Sequence, residues 1–144
     1  MQESLGRYIT TISKHIKYYI NQRANKFNLN IDQVHILKTL YDNQGVNQEE
    51  LTEIYKSDKV TISKLLDRLV EEGYIEKRRN KDDRRVKNLY VTEKGEALKG
   101  EIKEIFKDIT RVLASDFSEK ENFIIRKLLS RMSENIYEEV NKER

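Results

Sequence analysis

Residues 57–92 run SDKVTISKLLDRLVEEGYIEKRRNKDDRRVKNLYVT without a spacer: a helix start, an apolar stripe, a glycine, then two short extended runs around a cationic turn. Few folds accept that order. Ser57 or Asp58 can cap a helix by accepting a hydrogen bond from a free N–H of its first turn. Ile62, Leu65, Leu66 and Leu69 stand at i, i+3, i+4 and i+7, one face of a helix. Gly73 follows the last turn, where a left-handed residue is wanted. The opposite face carries Lys59, Thr61, Ser63, Lys64 and Arg68, with Asp67 the main anion among them. Alone, that face reads as a solvated one.

The next segment changes its meaning. Residues 77–87 hold seven cations (Lys77, Arg78, Arg79, Lys81, Arg84, Arg85, Lys87) against Asp82 and Asp83, so 7 − 2 = +5 in eleven residues. The whole chain is only +3, so the rest sums to −2. Charge so concentrated, on a turn beside a helix of short polar groups, suits a polyphosphate partner. Residues 74–77 and 88–91 read as the strands of a hairpin, with Ile75, Leu89 and Val91 on one face. A helix followed by a basic hairpin is the layout of a winged helix.

The same residues carry a family resemblance. The run Asp67-Arg68-Leu69-Val70-Glu71-Glu72-Gly73-Tyr74-Ile75, then Asp83-Arg84-Arg85, then Leu89-Tyr90-Val91-Thr92-Glu93-Lys94-Gly95, resembles the MarR-type transcriptional regulators. Their pattern is D-R-L-x-x-x-G-hydrophobic, a D-x-R wing and an L-x-L-T-x-x-G exit; Tyr90 and Val91 fill the last two exit positions before Thr92. Three such pieces in order at the right spacing, with matching chain length and element order, make a specific signal. The resemblance implies a mainly α chain with a small β-hairpin wing: a winged helix-turn-helix head flanked by long N- and C-terminal dimerisation helices. It also implies that the D-x-R arginine reaches a minor groove.

At 144 residues one domain with a sizeable core is expected. Within residues 1–144 the expected parts are dimerisation helices at 1–27 and 118–144, a winged helix-turn-helix at 30–92 and a linking helix at 92–116. Charged residues make up 37% of the chain and no run of about eighteen apolar residues occurs, so no membrane span is expected. The N-terminus has no apolar signal core, so a cytoplasmic location is the default expectation. Cysteine is absent, which removes disulfides and the cysteine-based peroxide response that part of the family uses.

Taken in order, Leu5, Tyr8, Ile9, Ile12, Ile16, Tyr19 and Ile20 keep a 3–4 spacing for over four turns, long for a helix at the edge of one small core. A second subunit is the simplest cover. Asn30 with Gln33, and Asn47 with Glu50, have the spacing of capping boxes that open the second and third helices. Ile31, Val34, Leu37, Leu40 and Tyr41 form the apolar face of the second, and Leu51, Ile54 and Tyr55 are expected to face inward from the third. A turn at residues 56–57 and the capped helix after it complete a helix-turn-helix. Its second helix enters the major groove with the N-terminal residues foremost, which places Asp58, Lys59, Val60, Thr61, Ser63 and Lys64 nearest the bases, with Arg68 further along. Thr and Ser can bond several base edges, and Lys favours the guanine O6/N7 edge. Gln48 and Ser57 are expected at the DNA backbone, and Arg78, Arg79, Lys81, Asp83, Arg84, Arg85 and Lys87 on the wing. Thr92 caps a fifth helix whose stripe (Leu98, Ile102, Ile105, Phe106, Ile109, Leu113) runs to about Ser115. Ser118 and Glu121 box the last, striped by Phe123, Ile125, Leu128, Leu129, Met132, Ile136 and Val140.

An enzyme is not supported. His15 and His35 lie in different helices, and no H-E-x-x-H, phosphate-loop or G-x-S-x-G run occurs. No metal-ligand spacing is visible, so no cofactor is expected. A helical protein-interaction adaptor with a solvated basic hairpin has the same composition and stays open; salt-dependent, sequence-selective binding to duplex DNA separates the two. The reading that follows is a dimeric, sequence-specific regulator of double-stranded DNA with an inverted-repeat operator, acting as a repressor. The resemblance further implies a small phenolic or anionic effector. Ile12, His15, Ile16, Leu37 and Tyr41 could line its crevice, and each is equally explained as core.

Overall fold

The computed structural model describes residues 2–142; the expected helix ends at residues 1 and 144 lie outside that range. Ser4 caps α1 (Leu5–Ala24) by accepting from the Arg7 amide at 3.0 Å. The helix tightens into a 3₁₀ turn at Asn25–Phe27 and stops at Asn28, whose φ of +61° is left-handed. All three predicted capping boxes form, two of them in the head. Asn30 opens α2 (Ile31–Tyr41), exchanging bonds with Gln33, and Asn47 opens α3 (Gln48–Ile54), exchanging bonds with Glu50. Of the two capping candidates for α4 (Lys59–Glu71), Asp58 is the cap, its Oδ1 accepting from the Thr61 amide at 2.9 Å. Gly73, at φ +80°, ends that helix and lets the Tyr74 amide turn back to the Leu69 carbonyl at 2.9 Å.

β1 (Ile75–Arg79) and β2 (Lys87–Val91) pair antiparallel, in register from Ile75↔Val91 to Arg79↔Lys87. The segment between α2 and α3 joins them: the Gly45 amide donates to the Leu89 carbonyl at 2.7 Å, and the Leu89 amide to the Val46 carbonyl at 2.8 Å. Two helices follow, the short α5 (Glu93–Ala97), capped by Thr92, and α6 (Lys99–Leu113). The single expected helix is thus interrupted at Leu98, whose amide bonds the Gly95 carbonyl three residues back.

The chain falls into two compact units, the second beginning at Lys107. In the first, Ile20, Val34, Leu37, Leu40, Leu51, Ile62, Leu66, Leu69, Ile75, Leu89, Ile102 and Ile105 are buried. The inward expectation fails for Ile54, which is exposed; α3 is two turns long, so only Leu51 reaches the interior. Leu65 is half-buried, at the edge of the α4 stripe. The second unit holds α7 (Glu119–Val140), opened by the Ser118–Glu121 box. None of its residues is buried; Phe123, Leu128, Leu129, Ile136 and Val140 are all exposed. Leu5, Tyr8, Ile9 and Ile12 of α1 are exposed too. Among the described residues no helix is long and apolar enough to cross a membrane.

Gly95 shows why the exit motif ends in glycine. It is buried where α5 meets the hairpin, and a β-carbon there would overlap the Tyr74 carbonyl oxygen and come within 2.6 Å of Val91 Cγ1. Gly95→Ala is expected to cost about 1–3 kcal/mol by overpacking. Gly100→Ala, whose β-carbon meets nothing within 4 Å, should be neutral or mildly stabilising. Urea midpoints of the two variants check the contrast.

Candidate nucleic-acid interface

The local fold of α4 decides which of its side chains are free to act. Burial of Ile62, Leu66 and Leu69 turns Lys59, Val60, Thr61 and Lys64 outward, and all four are exposed. Ser63 and Asp58 are half-buried. Thr61 is tied to the cap twice: its amide donates to Asp58 Oδ1 and its hydroxyl to Asp58 Oδ2, at 2.9 and 2.8 Å. Arg68 lies on the flank, drawn into ion pairs with Glu71 and with Glu72, the latter at 3.3 Å. In the turn before α4, Lys56 takes a left-handed φ of +55°, and the Ser57 amide donates to the Thr52 carbonyl at 3.0 Å.

In the wing, strand alternation sorts the cations. Ile75, Lys77 and Arg79 share the face of Val91, Leu89 and Lys87; Glu76 and Arg78 share that of Tyr90 and Asn88. Arg78 is thereby committed to its own strand: it pairs with Glu76, and its guanidinium lies 4.2 Å from the centre of the Tyr90 ring. Arg79 and Lys87 are exposed and directly opposite each other, an arrangement of like charges that costs stability unless an anion neutralises it.

Two asparagines build the wing tip. Asn88 donates to the Gly45 carbonyl and accepts from Asn80 Nδ2 at 3.2 Å, fastening the hairpin to the α2–α3 segment. Asn80 Oδ1 accepts from the amides of Asp82 and Asp83, at 2.8 and 3.1 Å, and folds the turn. Asp83 then holds Arg85 through three bonds: the Arg85 Nε at 3.0 Å, Nη2 at 3.1 Å and backbone N–H at 3.1 Å. The Arg85 side chain is 90% exposed even so. The bonds from Arg85 hold the Asp83 carboxyl below the usual carboxylate range and push the guanidinium further up. Arg84 and Lys81 are exposed, and with Arg79 and Asn80 they line a separate hollow at the tip.

Between α3, the start of α4 and the wing lies a trough of about 690 Å³. Gln48, Lys59, Lys77, Arg85 and Lys87 line it, so both reading elements open onto one surface. Lys77 was not among the wing contacts expected from the sequence; its register opposite Leu89, on the face away from Arg78, is the signal that could have found it. Glu49 and Glu53 were not expected there either; they line the same trough and make its α3 wall anionic.

The five residues considered for an effector do not share one exposed surface. Ile12 and His15 point outward from α1, His15 Nδ1 lying 2.9 Å from the Thr11 carbonyl, and Ile16 is half-buried. Leu37 is sealed in the core. Tyr41 is half-buried and donates its hydroxyl to the Gly95 carbonyl at 2.6 Å; burial and nearby Glu96 raise its pKa. His35 packs its ring 4.8 Å from that of Phe106, and burial, with Lys38 nearby, holds its pKa below 6.5. Among the described residues no group of three acidic or histidine side chains is placed to hold a metal ion.

A short helix, a turn, an outward-facing helix and a basic hairpin packed behind it define a winged helix-turn-helix. The MarR family model matches residues 29–87. The HTH-type transcriptional regulator BilQ of Clostridioides difficile (strain CD3) is 30% identical over 119 residues, 83% of this chain and 80% of BilQ. The chain belongs to the MarR family of transcriptional regulators, which are not enzymes. Two similar solved structures hold DNA. A MarR family regulator from Listeria monocytogenes with a 26mer DNA superposes with a TM-score of 0.89 at 30% identity, covering 99% of this chain and 97% of that one. The Staphylococcus aureus MepR–DNA complex does so with a TM-score of 0.87 at 26% identity, covering 93% of this chain and 99% of that one.

Proposed function

We propose that this regulator is a homodimeric repressor whose α4 reads the major groove of an inverted-repeat operator while Arg85 enters the flanking minor groove. The observation that carries the reading is the Asp83–Arg85 pair. A guanidinium fully charged, almost wholly exposed and aimed by a bidentate carboxylate does nothing for the fold and suits a narrow, negative groove. The opposed cations Arg79 and Lys87 support it, since a phosphate backbone removes their repulsion. Lys77, Lys81, Arg84, Gln48 and Ser57 position the duplex without reading it. The relatives that hold DNA support the same partner.

Lys64→Ala tests the assignment of α4. It should cost about 1–3 kcal/mol at the preferred site and relax preference at one base pair per half-site. Uniform weakening on every sequence would make Lys64 a phosphate contact instead.

Repression is released, on this proposal, by a small phenolic or anionic effector lodged against Ile12, His15 and Ile16 of α1, with a second copy closing the site; Leu37, sealed in the core, and Tyr41, bonded to the Gly95 carbonyl, stay with the head. Titrating phenolates and aromatic carboxylates into the protein–operator complex should free the DNA. His15→Ala should blunt that release without altering DNA affinity.

A further inference from the structure

We infer that α4 reads a thymine 5-methyl group in each half-site through Val60; the inference rests on the DNA-reading function proposed above. Val60 is the second residue of α4 and is 63% exposed. It stands with Lys64 and Asp67 at i, i+4 and i+7, on the side away from the buried Ile62, Leu66 and Leu69. A β-branched residue at an exposed helical position covers no core and is a poorer helix former than alanine, so the fold does not ask for it.

Its neighbour points the same way. Thr61 is the hydroxyl-bearing residue exposed in this turn, and its proton is already given to Asp58 Oδ2 at 2.8 Å. With its amide also held by the same carboxylate, the side chain has little freedom to turn that proton toward a base. Thr61 is left with a methyl group and an acceptor. Beside Lys59, which lines the trough, the first turn of α4 therefore presents methyl groups from Val60 and Thr61. In the major groove only thymine displays an apolar group, its C5 methyl. Lys64, one turn further along the same ridge, supplies the donor. The helix thus carries an apolar reader followed by a cationic one.

The experiment uses the duplex that the full-length protein recovers from a random pool, resynthesised with deoxyuridine for thymidine at one position per half-site at a time. This removes the methyl group and leaves base pairing unchanged. At one position, binding by the parent should fall about fourfold for each methyl removed, the factor expected from burying one methyl-sized group, and about 15-fold for the symmetric pair. Val60→Ala, whose helix should be unimpaired by circular dichroism, should bind the thymidine duplex correspondingly less well. It should no longer distinguish thymidine from deoxyuridine at that position. The inference is overturned if the parent binds every deoxyuridine duplex as tightly as the original, or if Val60→Ala discriminates as the parent does. Recovery of no preferred duplex at all would remove the DNA-reading function itself, and this inference with it.

Discussion

Replacing Arg85 with alanine should weaken operator binding about 10- to 100-fold, the range for removing one specific arginine–DNA interaction, and leave the urea midpoint unchanged. The two readouts separate because of where the side chain sits. Arg85 projects from a wing tip folded by Asn80, and its partner Asp83 is on the same loop, so no core packing depends on either. Exposed ion pairs contribute little to folding. The log–log salt dependence should become shallower by about one unit for each phosphate no longer neutralised. Asp83→Ala should weaken binding less, because it frees the guanidinium without removing it. Arg84→Ala should also matter less, since Arg84 lines the separate hollow at the tip, away from the trough. The pair should persist through neutral pH: the Asp83 pKa is lowered, so the carboxylate stays charged above its ordinary value near 3.8 and protonates only as pH falls below it. Binding of Arg85→Ala equal to that of the parent at moderate salt would mean that the wing is not a DNA contact.

Ile9→Asp and Phe123→Asp should each convert a dimer of 2 × 17.2 kDa into monomer and lower operator affinity about 100-fold or more. Leu5 is 70% exposed and Phe123 69%, and each belongs to a stripe of apolar side chains that its own helix presents to solvent. Patches of that kind mark interaction surfaces. The proposed homodimer would cover both stripes, and two heads related by a two-fold axis would then read two half-sites about 10 base pairs apart. A charge in either stripe forfeits the apolar packing and buries an unpaired carboxylate. The DNA effect follows from losing the linkage between half-sites, with every reading side chain left intact. Sedimentation of the parent as a 17 kDa species at low micromolar concentration would contradict the dimer.

What the sequence made legible was local. Capping boxes at Asn30, Asn47 and Ser118 are written in residues three apart, and each forms. Gly73 was legible because only a left-handed residue closes that helix end. The Asp83–Arg85 bond was legible because two residues in one tight turn can hardly avoid each other. The misses come from contacts distant in sequence or from competing partners. Asn88 reaches Gly45, 43 residues away, and nothing around either residue announces it. Arg78 counted as one more wing cation until Glu76 and Tyr90, its neighbours on the same face, claimed it. Arg68 went the same way, to Glu71 and Glu72. Ile54 matched the inward spacing, but it is the last residue of a helix of only seven, and Leu51 alone is buried. Glu49 and Glu53 looked like ordinary helix-start acids, and only the placement of the wing opposite α3 brings them into the trough.

Selection of bound duplexes from a random pool, followed by a salt titration on the winner and on a scrambled sequence of equal length, decides whether two α4 helices read an inverted repeat. The predicted result is recovery of an inverted repeat with half-sites about one helical turn apart. Affinity should be at least about 10³-fold above that for the scrambled duplex, with a steep linear fall of log affinity with log salt for both. Recovery of no common sequence, or a full-affinity site without two-fold symmetry, would contradict it.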